Sequence, residues 1–217
     1  MQAGLILRAF LASPDDARAE RDEAVRVVTE WNAANSLTRE AIVEVVRMET
    51  HAELELGEHP QEIINRQLLD RCDMLIGIFW SRLGTPTSKE QSGTIHEIKE
   101  FIKRKGPDRV KLFFSERDVP HSIPTQDLEA VRRFKGDMQR EGLYCSYTDP
   151  NDFAAKLRHQ LDITVARLLE TEEAKTKWSE KAHVTEQDKL MLEISRSQHE
   201  FLQAATNQFL KKNSFDQ

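Results

Sequence analysis

Two hydrophobic patterns alternate along most of the chain: short apolar runs, and longer stretches in which apolar residues recur every three or four positions. Residues 5–12 (LILRAFLA) are a compact apolar run that stops at Ser13-Pro14-Asp15-Asp16. Serine as N-cap, proline at the first helical position and acids in the first turn predict a helix start. That helix should run to about Asn35, with Ala17, Ala24, Val27, Val28 and Trp31 on one face. Residues 41–48 (AIVEVVRM) read as a second strand, and a polar loop (ETHAELELGEH) follows before Pro60 opens a helix through Ile63, Ile64 and Leu68. Residues 74–80 (MLIGIFW) are the most apolar run, as expected of a strand buried on both faces. Beyond a loop of Gly, Pro, Ser and Thr at 81–93, the pattern predicts a helix over 94–105, a strand over 110–114 and a helix over 128–141. A short strand over 143–147 comes next, then a helix with Phe153, Leu157, Leu161, Val165 and Leu168 on one face.

Strands alternating with helices predict a parallel sheet covered on both faces, and the right-handed crossover rule leaves few topologies. The natural choice is an α/β, flavodoxin-like three-layer sandwich, with a five-stranded parallel sheet in the order 2-1-3-4-5. Ligands of such sheets sit outside the carboxyl ends of the strands, at the switch between strands one and three. Here those ends are the loops after Ala12 and Trp80. The reading divides the chain into an α/β domain over 1–170 and a helical C-terminal extension over 171–217. In the extension, Leu190, Ile194, Phe201, Ala205 and Phe209 keep helical spacing. A lone helix with that stripe exposes apolar surface, which predicts packing against a second copy or back onto the domain.

Composition narrows the function. The chain is 217 residues long with a net charge of -6, which gives no basic surplus for nucleic acid. No apolar stretch approaches the roughly 20 residues of a membrane span, and the extension holds seven basic and eight acidic residues, unlike a polybasic membrane arm. The first apolar run lacks a preceding basic region, so it reads as a strand rather than a signal peptide. Two cysteines, Cys72 and Cys145, suit a reducing cytoplasm and read as small core residues. No metal is expected: Glu49, His51, Glu53, Glu55, Glu58 and His59 crowd one loop without a recognised ligand spacing. The phosphate-binding motifs GxGxxG and GxxxxGK[ST] are absent, and so is the G-x-S-x-G nucleophile elbow.

Three candidates remain at the predicted ligand end. Ser13 caps the first helix, and the free N–H groups there also suit a phosphate. In Trp80-Ser81-Arg82-Leu83-Gly84, Trp80 either fills the core or stacks on a base, and Arg82 either decorates a turn or clamps a phosphate. Glu97 completes a Thr94-x-x-Glu97 capping box, or is a free carboxylate facing a ligand.

The residues resemble a known family. Phe10-Leu11-Ala12-Ser13-Pro14-Asp15-Asp16 with Glu20-Arg21, Trp31-Asn32, Glu49-Thr50-His51, Pro60-Gln61-x-Ile63-Ile64-Asn65-x-Gln67-Leu68, the run from Cys72 to Thr87, Ser92-Gly93-Thr94 and Glu97-Ile98 carry the likeness. Over about residues 5–165 the sequence is similar to an uncharacterised bacterial TIR-like domain found at the N-terminus of STAND-type NTPases in immunity-like systems. More distantly, Gly93-Thr94-x-x-Glu97-Ile98 resembles the segment that carries the catalytic glutamate of nucleoside 2-deoxyribosyltransferases, and TIR-domain NAD hydrolases place a glutamate near the same point. Both groups cleave a C1′–N glycosidic bond. The resemblance implies Glu97 as the catalytic carboxylate, with Ser13, Trp80, Arg82, Gly93 and Thr94 around a small-molecule nucleotide. NAD or a nucleoside is then a substrate, and no resident cofactor is expected. Ser92 stands where the transferases often carry an aspartate, so cleavage is implied ahead of transfer. A non-catalytic signalling or oligomerisation module, with Glu97 as a helix cap, stays open as the rival, as does a transferase-like enzyme.

Overall fold

Strands β1 (Leu5–Ala12), β2 (Ala41–Val46), β3 (Met74–Phe79), β4 (Val110–Ser115) and β5 (Tyr144–Tyr147) lie parallel in one sheet, in the order β2-β1-β3-β4-β5. The computed structural model describes residues 4–47, 68–84, 92–142 and 144–171. Helices α1 (Arg18–Arg39) and α4 (Pro150–Leu169) cover one face, and α2 (Gly93–Lys105) and α3 (Thr125–Glu141) the other. This is the flavodoxin-like arrangement that the alternating pattern predicts. Apart from Leu68, which is buried in a turn, the expected helix over 60–68 lies outside the described residues, as do the acidic loop over 49–59, residues 85–87 of the long motif and the stripe over 190–209.

Every residue of β3 is buried, because the strand is central and helices lie over both faces. Ala17 and the α1 stripe of Ala24, Val27, Val28 and Trp31 are buried against odd-numbered β1 residues and the α4 stripe of Phe153, Leu157, Leu161, Val165 and Leu168. On the other face, Phe10, Leu75, Phe79 and Phe114 pack beneath Ile95, Ile98, Phe101 and Phe134. Helix α2 comes close to the sheet at Gly77, where an added Cβ would meet Leu112 Cδ2 at 2.6 Å and Ile98 Cδ1 at 3.3 Å.

Polar side chains fix the register. Asp73, just before β3, accepts from the Arg8 backbone N–H at 2.8 Å and donates its own N–H to the Arg8 carbonyl at 2.7 Å, which pins β3 to β1. Asn32 of α1 pairs with both the N–H and the carbonyl of Val43 at 2.8 Å, so it satisfies backbone groups of the edge strand β2. Helix α1 runs past Asn35 to Arg39 and turns into β2 through Glu40, whose φ of 49° is left-handed. Cys145, expected in the core, is half-buried, because β5 is an edge strand.

The helix starts differ from expectation in two places. Ser13 caps nothing: a short 3-10 turn (Asp15–Ala17) precedes α1, with Pro14 as its extended N-cap and no side-chain cap. The Ala17 N–H bonds the Pro14 carbonyl at 3.2 Å, so the first helical bond begins one residue later than a Ser13 cap requires. At α2 the cap is Ser92, whose Oγ accepts from the Ile95 N–H at 3.1 Å. Thr94 is therefore the second residue of the helix. The Thr94–Glu97 capping box does not form, because the box position three residues after the cap is occupied by Ile95.

Candidate functional site

Parallel strands present all their carboxyl ends at one edge, so the segments after β1, β3, β4 and β5 converge there. Asp16, after β1, accepts from both the backbone N–H and the hydroxyl of Ser81, after β3, at 2.8 and 2.7 Å through Oδ2. Ser81 is fully buried, and this bridge clasps the two loops that flank the switch point. Glu20, in the first turn of α1, has a side chain with no exposure at all and forms an ion pair with Arg117, just past β4. Arg117 also donates its N–H and Nε–H to Ser115 Oγ at 3.3 and 3.1 Å, and its guanidinium lies 4.5 Å from the centre of the Trp80 ring. Tyr147, at the end of β5, is buried beside Glu20 and Ser115, and burial together with the Glu20 charge pushes its phenol above the ordinary range.

Buried polar atoms without a partner gather at this same edge. Ser13 Oγ, Asp16 Oδ1 and Trp80 Nε1 are buried and have no hydrogen-bond partner among the described residues. Such groups cost about 1–3 kcal/mol each when they are left unpaired.

The sequence candidates divide between two parts of this edge. Ser13 and Trp80 follow neighbouring strands, paired through Ala12 and Gly77, and are held together by the Asp16–Ser81 bridge. Gly93 and Thr94 open α2 and are half-buried. The loop after β3 reaches them: a Cβ on Gly84 would lie 3.3 Å from Thr94 Oγ1, and the Gly84 φ of +105° is one that glycine alone adopts readily. Glu97, one turn further along α2, is buried at 8% exposure. The Arg82 side chain is 46% exposed and approaches Asp127, in the first turn of α3, at 4.0 Å.

Sequence reasoning gave no site role to Asp16, Glu20, Ser81, Arg117 or Tyr147. A signal did exist for Glu20. It lies three residues after Ala17 and four before Ala24, so a carboxylate stands inside the apolar stripe of α1. Arg117 carries no such local mark. Among the described residues, no cluster of His, Cys, Asp and Glu is placed to hold a metal ion, and no helix is long and apolar enough to cross a membrane.

The chain belongs to the family described as "Domain of unknown function (DUF4062)", whose model matches residues 8–162. No curated protein matches it. Among solved structures it is similar to an oxidoreductase of Corynebacterium diphtheriae, at 12% identity over 78% of this chain and 100% of the other, with a TM-score of 0.38. It is also similar to an azoreductase of Bacillus anthracis, at 13% identity over 80% and 99% of the two chains, with a TM-score of 0.32. Neither likeness bears on what this chain does.

Proposed function

We propose that the carboxyl edge of the sheet binds a nucleotide and cleaves its N-glycosidic bond, with Glu97 as the catalytic carboxylate and NAD as the substrate. The observation that carries this reading is the placement of Glu97. It is a buried acid in α2, one turn past Thr94, which faces Gly84 of the loop after the central strand, and the Thr94–Glu97 capping box is replaced by the Ser92 cap.

Breaking a ribosyl C1′–N bond builds positive charge at C1′, which a carboxylate beneath the sugar stabilises as an ion pair or traps as a covalent ester. Nicotinamide leaves NAD as a neutral base, because the ring nitrogen is cationic in the substrate, so no strong general acid is required. Water then adds to C1′ and gives up its proton. Ser13, Thr94 and the Gly93 backbone are available for hydroxyl and phosphate groups, and Trp80 borders the place for a base. The reading is of a cytoplasmic TIR-like domain in a bacterial immunity or signalling system, and self-association through residues 171–217 belongs to it.

The test is release of nicotinamide from NAD at high protein concentration, followed by chromatography, for the wild type and Glu97→Gln. Turnover in the wild type and none in a folded Glu97→Gln supports the reading. Equal turnover in the two overturns the role of Glu97, and a wild type with no turnover leaves the non-catalytic module as the function.

A further inference from the structure

We propose that Arg117, and not Arg82, anchors an anionic phosphate group of the ligand at the carboxyl edge of the sheet, so that the site takes phosphorylated nucleotides in preference to nucleosides. This deepens the nucleotide reading above and rests on it.

The argument starts from how Arg117 is held. One side of its guanidinium is fixed by the fully buried Glu20 carboxylate and by Ser115 Oγ, and its flat face rests on Trp80 at 4.5 Å. Nη1 has no hydrogen bond among the described residues, and the side chain stays 27% exposed. A guanidinium constrained on one edge and one face, with its other edge open, is pre-organised for a planar, two-oxygen acceptor such as phosphate. Arg82 lacks every one of these constraints: it is 46% exposed, and its partner Asp127 stands 4.0 Å away.

The surroundings offer both donors and carboxylate acceptors. The Trp80 indole N–H and the Ser13 hydroxyl are buried donors without partners, and donors are what phosphate oxygens require. Asp16 Oδ1 is a buried acceptor of the kind that takes a hydroxyl group. A purely structural ion pair accounts for the Glu20 contact but not for the unpartnered indole N–H of the Trp80 ring that the cation rests on. In this arrangement Glu20 is a positioning residue, since it acts through Arg117.

The experiment titrates the full chain calorimetrically with adenosine, ADP and inorganic pyrophosphate. Arg117→Gln should weaken ADP and pyrophosphate by about tenfold or more while adenosine stays within about twofold, and Arg82→Gln should leave all three within about twofold. Because Arg117→Gln strands a buried carboxylate, Glu20→Gln/Arg117→Gln removes both charges together and is expected to show the same loss. Glu20→Gln alone should weaken pyrophosphate and spare adenosine, a split that a merely structural role does not produce. Unchanged ADP and pyrophosphate binding in the Arg117 variants, a loss in Arg82→Gln instead, or adenosine binding as tightly as ADP overturns the proposal. Arg117-dependent binding of pyrophosphate without any binding of ADP or adenosine upholds the anchor and defeats the nucleotide reading. Wild-type binding of none of the three defeats both.

Discussion

Asp16 and Ser81 meet across the switch point of the sheet, where one carboxylate oxygen of Asp16 takes both the backbone N–H and the hydroxyl of Ser81, at 2.8 and 2.7 Å. Ser81 has no exposure to solvent, so it depends on that acceptor. Asp16→Ala should therefore cost about 2–4 kcal/mol, the value of hydrogen bonds to a charged group plus the penalty for buried donors left unpaired. Asp16→Asn keeps an acceptor and should cost about half as much. Urea unfolding of the two variants measures the difference, and equal losses would show that charge rather than hydrogen bonding holds the loops.

The cap of α2 gives a second prediction. Ser92→Ala should lower stability by about 1 kcal/mol, whereas Thr94→Ala, inside the first turn, should lower it by only a few tenths. The reverse order in equilibrium unfolding would restore the Thr94–Glu97 capping box.

Alkaline pH should weaken the fold before it affects the sheet order or the caps. Burial, with the Asp73 charge beside it, raises the Cys72 thiol from its ordinary value of 9.0 to about 12, and burial raises the Tyr147 phenol. Above about pH 9 the unfolded chain has lost the thiol proton that the folded protein retains, so the unfolded state binds fewer protons and stability falls as pH rises. The Cys72 contribution is full below pH 9 and is lost towards pH 12, with a slope of at most about 1.4 kcal/mol per pH unit. Denaturation midpoints measured from pH 8 to 11 should decline from about pH 9, and Cys72→Ser should flatten the first part of that decline.

The same burial predicts thiol reactivity. Cys72 is at 0% exposure, while Cys145 is half-buried on the edge strand. Iodoacetamide at pH 8 should modify Cys145 first and reach Cys72 at the rate of unfolding, since the thiolate is the reacting form. Peptide mapping over time distinguishes the two sites, and early modification of Cys72 would contradict its burial.

Both faces of the sheet are covered by helices within residues 4–171, and α4 closes one face against α1. A fragment of residues 1–171 should therefore unfold cooperatively on its own. Comparing its solution mass with that of the full chain by light scattering reads the contribution of residues 172–217 to self-association. Equal masses would end the proposal that this segment joins copies.

Local pattern was enough for the strands, the helices and their order. A buried strand announces itself by an unbroken apolar run such as 74–79, and a half-buried helix by a stripe such as Phe153, Leu157, Leu161 and Val165, because burial is periodic in the element that carries it. Alternation of the two, with the handedness of crossovers, leaves little freedom in sheet order. It also placed the switch point of the sheet, which follows from that order. The partners at that edge were decided by tertiary structure alone. Ser92 outranks Thr94 as a cap only through where the chain enters α2, and Ser13 loses its cap to a 3-10 turn that begins one residue later. Arg82 and Arg117 both stand in loops at strand ends and look alike in sequence. What separates them is that β1, β3 and β4 end side by side, which brings Glu20, Trp80 and Ser115 around Arg117 and leaves Arg82 facing α3. Hydrogen bonds and ion pairs between distant segments depend on ångström-scale approach after the core has packed, and hydrophobic periodicity carries no record of that distance.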